Sequence, residues 1–213
     1  MKAQGIDVIN MSVGEPDYMT PEHIKEAGKK AIDDNYSKYS PVPGYLDLRQ
    51  AISAKLKREN GLEYGPNEII VGTGGKQGVC NTFMALVNPG DEVIIPAPYW
   101  VSYPQMAKLA GGTPVIIRAE LDQNFKITPE QLESAITPKT KLLVICSPSN
   151  PTGSVYTQDE LNALAKVILK HEDLYVLSDE IYENINYVGF TASIAKAPGM
   201  RERTIICNGV SKA

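Results

Sequence analysis

Residues 141–153 read KLLVICSPSNPTG, and residues 174–183 read LYVLSDEIYE. Each opens on an unbroken apolar run of strand length and stops abruptly at polar residues. A strand with one wet face alternates; a run without alternation fits a strand buried on both faces. Working outward, the same pattern recurs at 68–72 (EIIVG), 92–96 (EVIIP), 114–118 (PVIIR) and 204–207 (TIIC). The stretches between repeat apolar residues at helical spacing, which predicts helices over 76–87, 99–110, 129–136 and 157–170. Upstream, Thr20-Pro21-Glu22 predicts a helix running to about Asp34, with Thr20 as its N-cap and Pro21 in its first turn. Residues 45–59 predict another, stopped by Asn60-Gly61. Strands and helices in alternation predict an α/β fold, a three-layer sandwich around a mostly parallel sheet.

Composition narrows what such a domain could do. The chain has 213 residues, 43% of them hydrophobic and 22% charged, with a net charge of −4. No basic stripe supplies the phosphate contacts that nucleic-acid binding needs. No apolar run approaches membrane-spanning length, and MKAQGIDVIN at the start lacks a signal-peptide core. Cys80, Cys146 and Cys207 have no metal-type spacing, and His23 and His171 have no ligand company, so no metal is expected. The cysteines read as small buried hydrophobes of a reducing, cytoplasmic protein.

Ligands of open α/β sheets bind at the carboxyl ends of the strands. The residues following each run therefore matter most. After 68–72 come Thr73-Gly74-Gly75-Lys76 and a helix; after 141–146, Ser147 to Gly153 with Asn150 among them; after 174–178, Asp179, Glu180 and Tyr182; after 204–207, Asn208 to Lys212 with Ser211 and Lys212 paired. A glycine turn feeding a helix can cradle a phosphate, although glycine there is as often a tight turn; Lys76 and Ser211 could add donors. It matches neither the Walker nor the GxGxxG pattern, which argues against a nucleotide-binding Rossmann domain. Asp179 at the end of a buried strand is costly unless paired, and a protonated ring nitrogen would suit it. Asn150 and Tyr182 are suited to a ring's phenolic oxygen. A lysine such as Lys212, if enclosed, has a lowered pKa and can condense with an aldehyde. Together these are the parts that pyridoxal phosphate (PLP) requires.

The ordered set SVGEPD (12–17), KYSPVPGYLDLR (38–49), GTGGKQ (72–77), PAPYWVSYP (96–104), SPSNPTG (147–153), SDEIYE (178–183) and NGVSKA (208–213) resembles the class I aminotransferases of PLP fold type I. The likeness is strongest to the bacterial branch of aspartate and prephenate aminotransferases. The resemblance implies that Lys212 bears PLP and shuttles the substrate's α proton. It implies that Asp179 partners the pyridinium, and that Tyr182 and Asn150 donate to the phenolic oxygen. Gly74, Gly75, Lys76 and Ser211 would hold the phosphate, and Trp100 would stack on the ring. The backbone of Gly14 would meet the substrate's α-carboxylate, where Trp100 and Asn150 also line the substrate site. Tyr39 would reach the neighbouring subunit's phosphate, which implies a homodimer.

The expected reaction moves an amino group between an amino acid, aspartate by this branch, and 2-oxoglutarate. A PLP-dependent carbon–sulfur β-lyase and a non-catalytic aminotransferase-like protein, inert or sensory, are the alternatives. Members of the family continue well past the lysine, through a second domain carrying the carboxylate-binding arginine, and most begin with an N-terminal arm. The chain is therefore expected to be a fragment, inactive alone. On this reading, 1–20 is a segment associated with the small domain and substrate site, and 21–213 is part of the large PLP-binding domain.

Overall fold

The computed structural model describes residues 1–9 and 14–212. Ser12 and Val13 of the SVGEPD stretch, and Ala213, lie outside the described residues. The chain divides into two compact units, residues 1–40 with Lys212, and residues 41–211.

In the first unit, helix α1 spans Glu22–Asp33. Lys25–Glu22, Lys29–Glu26 and Lys30–Asp34 pair along its surface, each at a spacing that brings side chains together. The expected Thr20 cap is not formed. The helix begins one residue late for it, with Pro21 at the N-cap in extended geometry (φ −55°, ψ 144°) and no side-chain cap.

The second unit holds a five-stranded sheet of β1 (Glu92–Ala97), β2 (Thr113–Arg118), β3 (Thr140–Cys146), β4 (Tyr175–Asp179) and β5 (Thr204–Cys207). The order is β2-β1-β3-β4-β5, and every pairing is parallel. Five of the six expected strands are present. The sixth, 68–72, joins no strand ladder among the described residues: Ile69 is extended (φ −117°, ψ 129°) and the Val71 amide donates to the Pro43 carbonyl at 3.1 Å, yet only a short turn at Pro66–Glu68 is regular there. An apolar run dictates an extended backbone, but a strand also needs a neighbour to pair with.

Helices α2 (Leu46–Lys55), α3 (Gly75–Leu86), α4 (Ser102–Leu109), α5 (Pro129–Ala135) and α6 (Gln158–Ile168) complete the unit. Side chains of a strand alternate between its faces, and here both faces are dry. Val93, Ile95, Leu142, Val144 and Leu177 pack with Val79 and Phe83 of α3 and Tyr103 and Met106 of α4. Ile94, Leu143, Ile145 and Val176 pack with Leu132 of α5 and Leu161, Leu164 and Ile168 of α6. This is the expected three-layer sandwich. Both α5 and α6 start in reciprocal capping boxes, Thr128 with Gln131 and Thr157 with Glu160. After α2 a π-type turn, Leu56–Asn60, ends at Gly61 in the left-handed region (φ 63°), where glycine carries no Cβ penalty.

The direction of chain winding reverses between β1 and β3. Such a switch point opens a crevice at the carboxyl ends of the strands. That edge carries Cys146, Asp179 and Cys207 side by side, since Cys146 pairs with Asp179 and Asp179 with Cys207 in the ladder.

Candidate active site

The centre of this edge is Asp179. It is 5% exposed, and no ion pair reaches it among residues 41–211. Tyr103 donates its hydroxyl to Oδ2 at 2.6 Å, and the Ile181 amide lies 3.3 Å from Oδ1. Burial raises the Asp179 pKa above the ordinary carboxylate value, and those two donors oppose the rise without cancelling it. A buried carboxylate with only neutral donors is an expensive arrangement. On the flanking strands, burial pushes the Cys146 and Cys207 thiols up to about 12, so both are uncharged neighbours near neutral pH.

Tyr182 lies three residues beyond Asp179, and Asn150 follows β3. Their side chains meet, the Asn150 amide donating to the Tyr182 hydroxyl at 3.2 Å. Desolvation raises the Tyr182 pKa, so the phenol keeps its proton and can donate in turn.

The glycine loop opens α3. Gly74 is the N-cap at φ 92°, a conformation that favours glycine, and open space surrounds the position a Cβ would take. No side chain caps this helix; the Gln77 amide donates to the Gly74 carbonyl at 3.1 Å, and the amides before it face the position an anion would take at a helix start. The loop is fixed from within by Gln77, whose Oε1 accepts from the Thr73 amide at 2.6 Å and from the Thr73 hydroxyl at 2.9 Å. Gly75 sits against Ile181 and Cys207: a Cβ there would stand 3.5 Å from Ile181 Cδ1 and 3.8 Å from Cys207 Sγ. The helix start therefore abuts the ends of β4 and β5.

Trp100, between β1 and α4, stands edge-on to Tyr103, with ring centroids 5.3 Å apart and planes at 86°. The Lys76 ammonium lies over the indole, 5.0 Å from its centroid. The structure thus joins Asn150 with Tyr182, and Lys76 with Trp100; Tyr103, given no role in the sequence analysis, connects Trp100 to Asp179. Ser211 is exposed. In the other unit, Tyr39 is fully exposed, and Lys212 Nζ lies 3.5 Å from the Gly14 carbonyl oxygen.

Tyr103 carried one signal that sequence reasoning passed over. A tyrosine within an apolar helix face must find a partner for its hydroxyl once buried, and acceptors such as Asp179 lie at the strand ends. Glu183 was also passed over. It accepts hydrogen bonds from Lys55 and, at 2.8 Å, from Asn60, which anchors the segment after β4. No group of metal-ligating side chains is found among the described residues. Nor is any described helix long and apolar enough to cross a membrane.

A family model described as aminotransferase class I and II matches residues 6–213. The chain is 53% identical over 215 residues to the aspartate/prephenate aminotransferase of Cereibacter sphaeroides, covering 100% of this chain and 54% of that protein. To the aspartate aminotransferase of Bacillus sp. (strain YM-2) it is 54% identical, covering 100% of this chain and 55% of the relative. Among solved structures, the aspartate aminotransferase from Thermus thermophilus with maleate superposes with a TM-score of 0.94 at 45% identity, covering 99% of this chain and 55% of that one. The aspartate aminotransferase from Rhizobium meliloti gives 0.96 at 45% identity, covering 100% and 54%. The chain spans about half the length of the curated relatives it matches.

Proposed function

The chain belongs to the aminotransferase class I and II family, and from that premise we propose that it is the cofactor-binding part of a PLP-dependent enzyme that transfers an amino group between aspartate and 2-oxoglutarate. The observation that carries this reading is Asp179, a carboxylate buried at a strand end with no cation beside it among residues 41–211. A protonated ring nitrogen is the partner such an acid lacks. The other donors suit the same ligand. Two neutral hydrogen-bonding side chains meet at Asn150 and Tyr182, and an uncapped helix start with an unobstructed glycine suits a phosphate. The relatives' names supply aspartate as substrate.

Bound there, PLP would supply an aldehyde to take up the substrate's amine and a protonated ring to draw electrons from its α carbon. Asp179 would keep the ring nitrogen protonated. Tyr182 and Asn150 would donate to the phenolic oxygen. The amides of Gly74 and Gly75, with Lys76 and Ser211, would hold the phosphate, and Trp100 would cover the ring. Lys212 would bear the cofactor between turnovers and take the proton from the substrate's α carbon. Gly14 would meet the substrate's carboxylate, and Tyr39 would complete the partner's phosphate site in a homodimer. On this reading residues 1–20 belong with a small domain and 21–213 with the large one. The three cysteines are free, in keeping with a cytoplasmic enzyme.

The test is an amino-donor screen on the full-length protein. Aspartate and 2-oxoglutarate should yield oxaloacetate and glutamate, and Lys212→Ala should abolish both that turnover and the absorbance band that PLP has only when joined to the lysine. Release of pyruvate and ammonia from a sulfur amino acid, with no amino exchange, would assign the protein to the β-lyases. Binding of PLP with neither activity would leave a non-catalytic role.

A further inference from the structure

Asp179 stands on β4 and Trp100 on the connection between β1 and α4, yet one side chain touches both. Tyr103 donates to Asp179 Oδ2 at 2.6 Å and packs edge-on against the indole at 5.3 Å. It is 2% exposed and belongs to the core formed with Val79 and Phe83 of α3, so its ring cannot swing away. We propose that Tyr103 is a positioning residue for the reaction, fixing the plane of the Asp179 carboxylate and holding it in register with Trp100. This deepens the proposed function and rests on reading Asp179 as the acid that meets the ring nitrogen.

The physical argument begins with the carboxylate's freedom. The terminal torsion of an aspartate is broad and roughly two-fold, so burial alone does not set the direction of its lone pairs. Here each oxygen is tethered once, Oδ2 by the phenol and Oδ1 by the Ile181 amide at 3.3 Å. The phenol bond is the shorter by 0.7 Å, from 3.3 Å against 2.6 Å, and it is charge-assisted, the stronger kind. Each carboxylate oxygen keeps lone-pair capacity for a further donor. One phenol therefore restricts the acid without using it up.

The other titratable groups bearing on Asp179 do not compete for this role. Cys146 on β3 and Cys207 on β5 are neutral thiols, each pushed up to about 12 by burial. Tyr182, beyond β4, is a neutral phenol held by Asn150. Tyr103 itself is driven far above the ordinary phenol value, first by burial, so it remains a donor at every working pH.

The experiment uses full-length enzyme loaded with PLP labelled at the ring nitrogen. Tyr103→Phe keeps the ring and its packing and removes only the hydroxyl. Without that donor the Asp179 carboxylate becomes more basic and draws the ring-nitrogen proton toward itself. The labelled nitrogen's NMR signal should move toward its unprotonated position, and kcat for aspartate should fall roughly 10-fold, the effect of one lost charge-assisted hydrogen bond, with KM little changed. A fluorinated tyrosine at position 103, of nearly the same shape but a stronger donor, should move the signal the opposite way; packing alone predicts no such ordering. An unmoved signal and kcat in Tyr103→Phe, alongside loss of both in Asp179→Ala, would overturn the role of Tyr103 and leave that of Asp179 standing. A ring-nitrogen signal and turnover unaffected by Asp179→Ala would remove the reading of Asp179 itself.

Discussion

Replacing Lys55 with methionine should loosen the segment that carries Tyr182. Lys55, near the end of α2, pairs with Glu183 and donates to Asn60 Oδ1 at 2.9 Å; Asn60 in turn donates to Glu183 Oε2 at 2.8 Å. The Asn208 side chain also supports Glu183. This hub joins α2, the turn after it and the loop after β4 that bears Tyr182. The Lys55 side chain is 26% exposed and that of Glu183 13%. The pair therefore lies between a surface pair, worth about 0–1 kcal/mol, and a buried one, whose breakage costs about 3–5 kcal/mol. Methionine keeps the apolar stem and leaves Glu183 without its cation, for an expected loss of about 2–3 kcal/mol. Urea denaturation followed by circular dichroism measures it. The pH dependence supplies an internal control. Burial alone would raise the Glu183 pKa, but the bonds from Lys55 and Asn60 bring it below the ordinary value of 4.5. A lowered folded pKa means stability that is fully present above 4.5 and is lost as pH falls through the folded value. The gap between parent and variant should be full near neutrality and shrink once Glu183 is protonated. A gap under about 0.5 kcal/mol at neutral pH, the scatter of surface substitutions, would refute the reasoning, as would a gap that stays constant into acid.

Three further outcomes follow from the same geometry. Asp179→Asn removes a charge whose folded pKa burial has raised above 3.8, so ligand-free parent protein should lose stability as pH rises from 3.8 through that folded value, and the variant should show a flatter urea-midpoint profile across the same window; an unchanged slope would mean that Asp179 is solvated. Gly112→Ala would place a Cβ 2.5 Å from Val87 Cγ1 and 3.3 Å from the Ala107 and Asp91 carbonyl oxygens, costing about 1–3 kcal/mol by overpacking, read as a lower denaturation midpoint. Phe83→Ala empties a fully buried site between α3 and the sheet and should cost about 3–5 kcal/mol without altering the ladder seen by circular dichroism.

The strands were legible because burial on both faces writes itself into sequence as runs such as KLLVIC and LYVLS. The limit shows at 68–72, where the same kind of run yields an extended chain with Ile70 78% exposed and no ladder among the described residues. Composition fixes conformation locally, whereas pairing depends on which segment lies alongside. Capping is short-range chemistry, yet the expected Thr20 cap fails, because a one-residue shift of the helix start leaves it outside the first turn, while the capping boxes formed at Thr128 and Thr157 were not anticipated. The polar residues of the site were legible as residues that end buried strands. Their mutual contacts were not. Tyr103 is separated from Asp179 by 76 positions, and in sequence it is one apolar residue of an amphipathic helix. Likewise Lys76, expected only as a phosphate donor, also lies over Trp100.

Two acids stand side by side at the end of β4, and the contrast between them locates the chemistry. Glu180 is 4% exposed and Asp179 5%, so burial does not distinguish them, and burial raises the pKa of both. Their partners do. Glu180 Oε1 accepts hydrogen bonds from the hydroxyls of Ser178 at 2.8 Å and Ser193 at 2.6 Å, and Ser193 Oγ accepts in turn from the Ala195 amide, so the acid is tied into the backbone. That is a closed structural network, in which satisfied polar groups rigidify the core. Asp179 faces the strand ends instead, where it has one phenol, one long amide contact and two neutral thiols for neighbours. A fold that encloses Glu180 so fully could have done the same for Asp179 with one more hydroxyl. Leaving it short of a positive partner makes the ligand-free protein less stable than it need be, and a cationic group bound beside it would offset that cost. On the proposed function, the proton on a ring nitrogen meets that description, and Tyr103 would set the direction from which it is met.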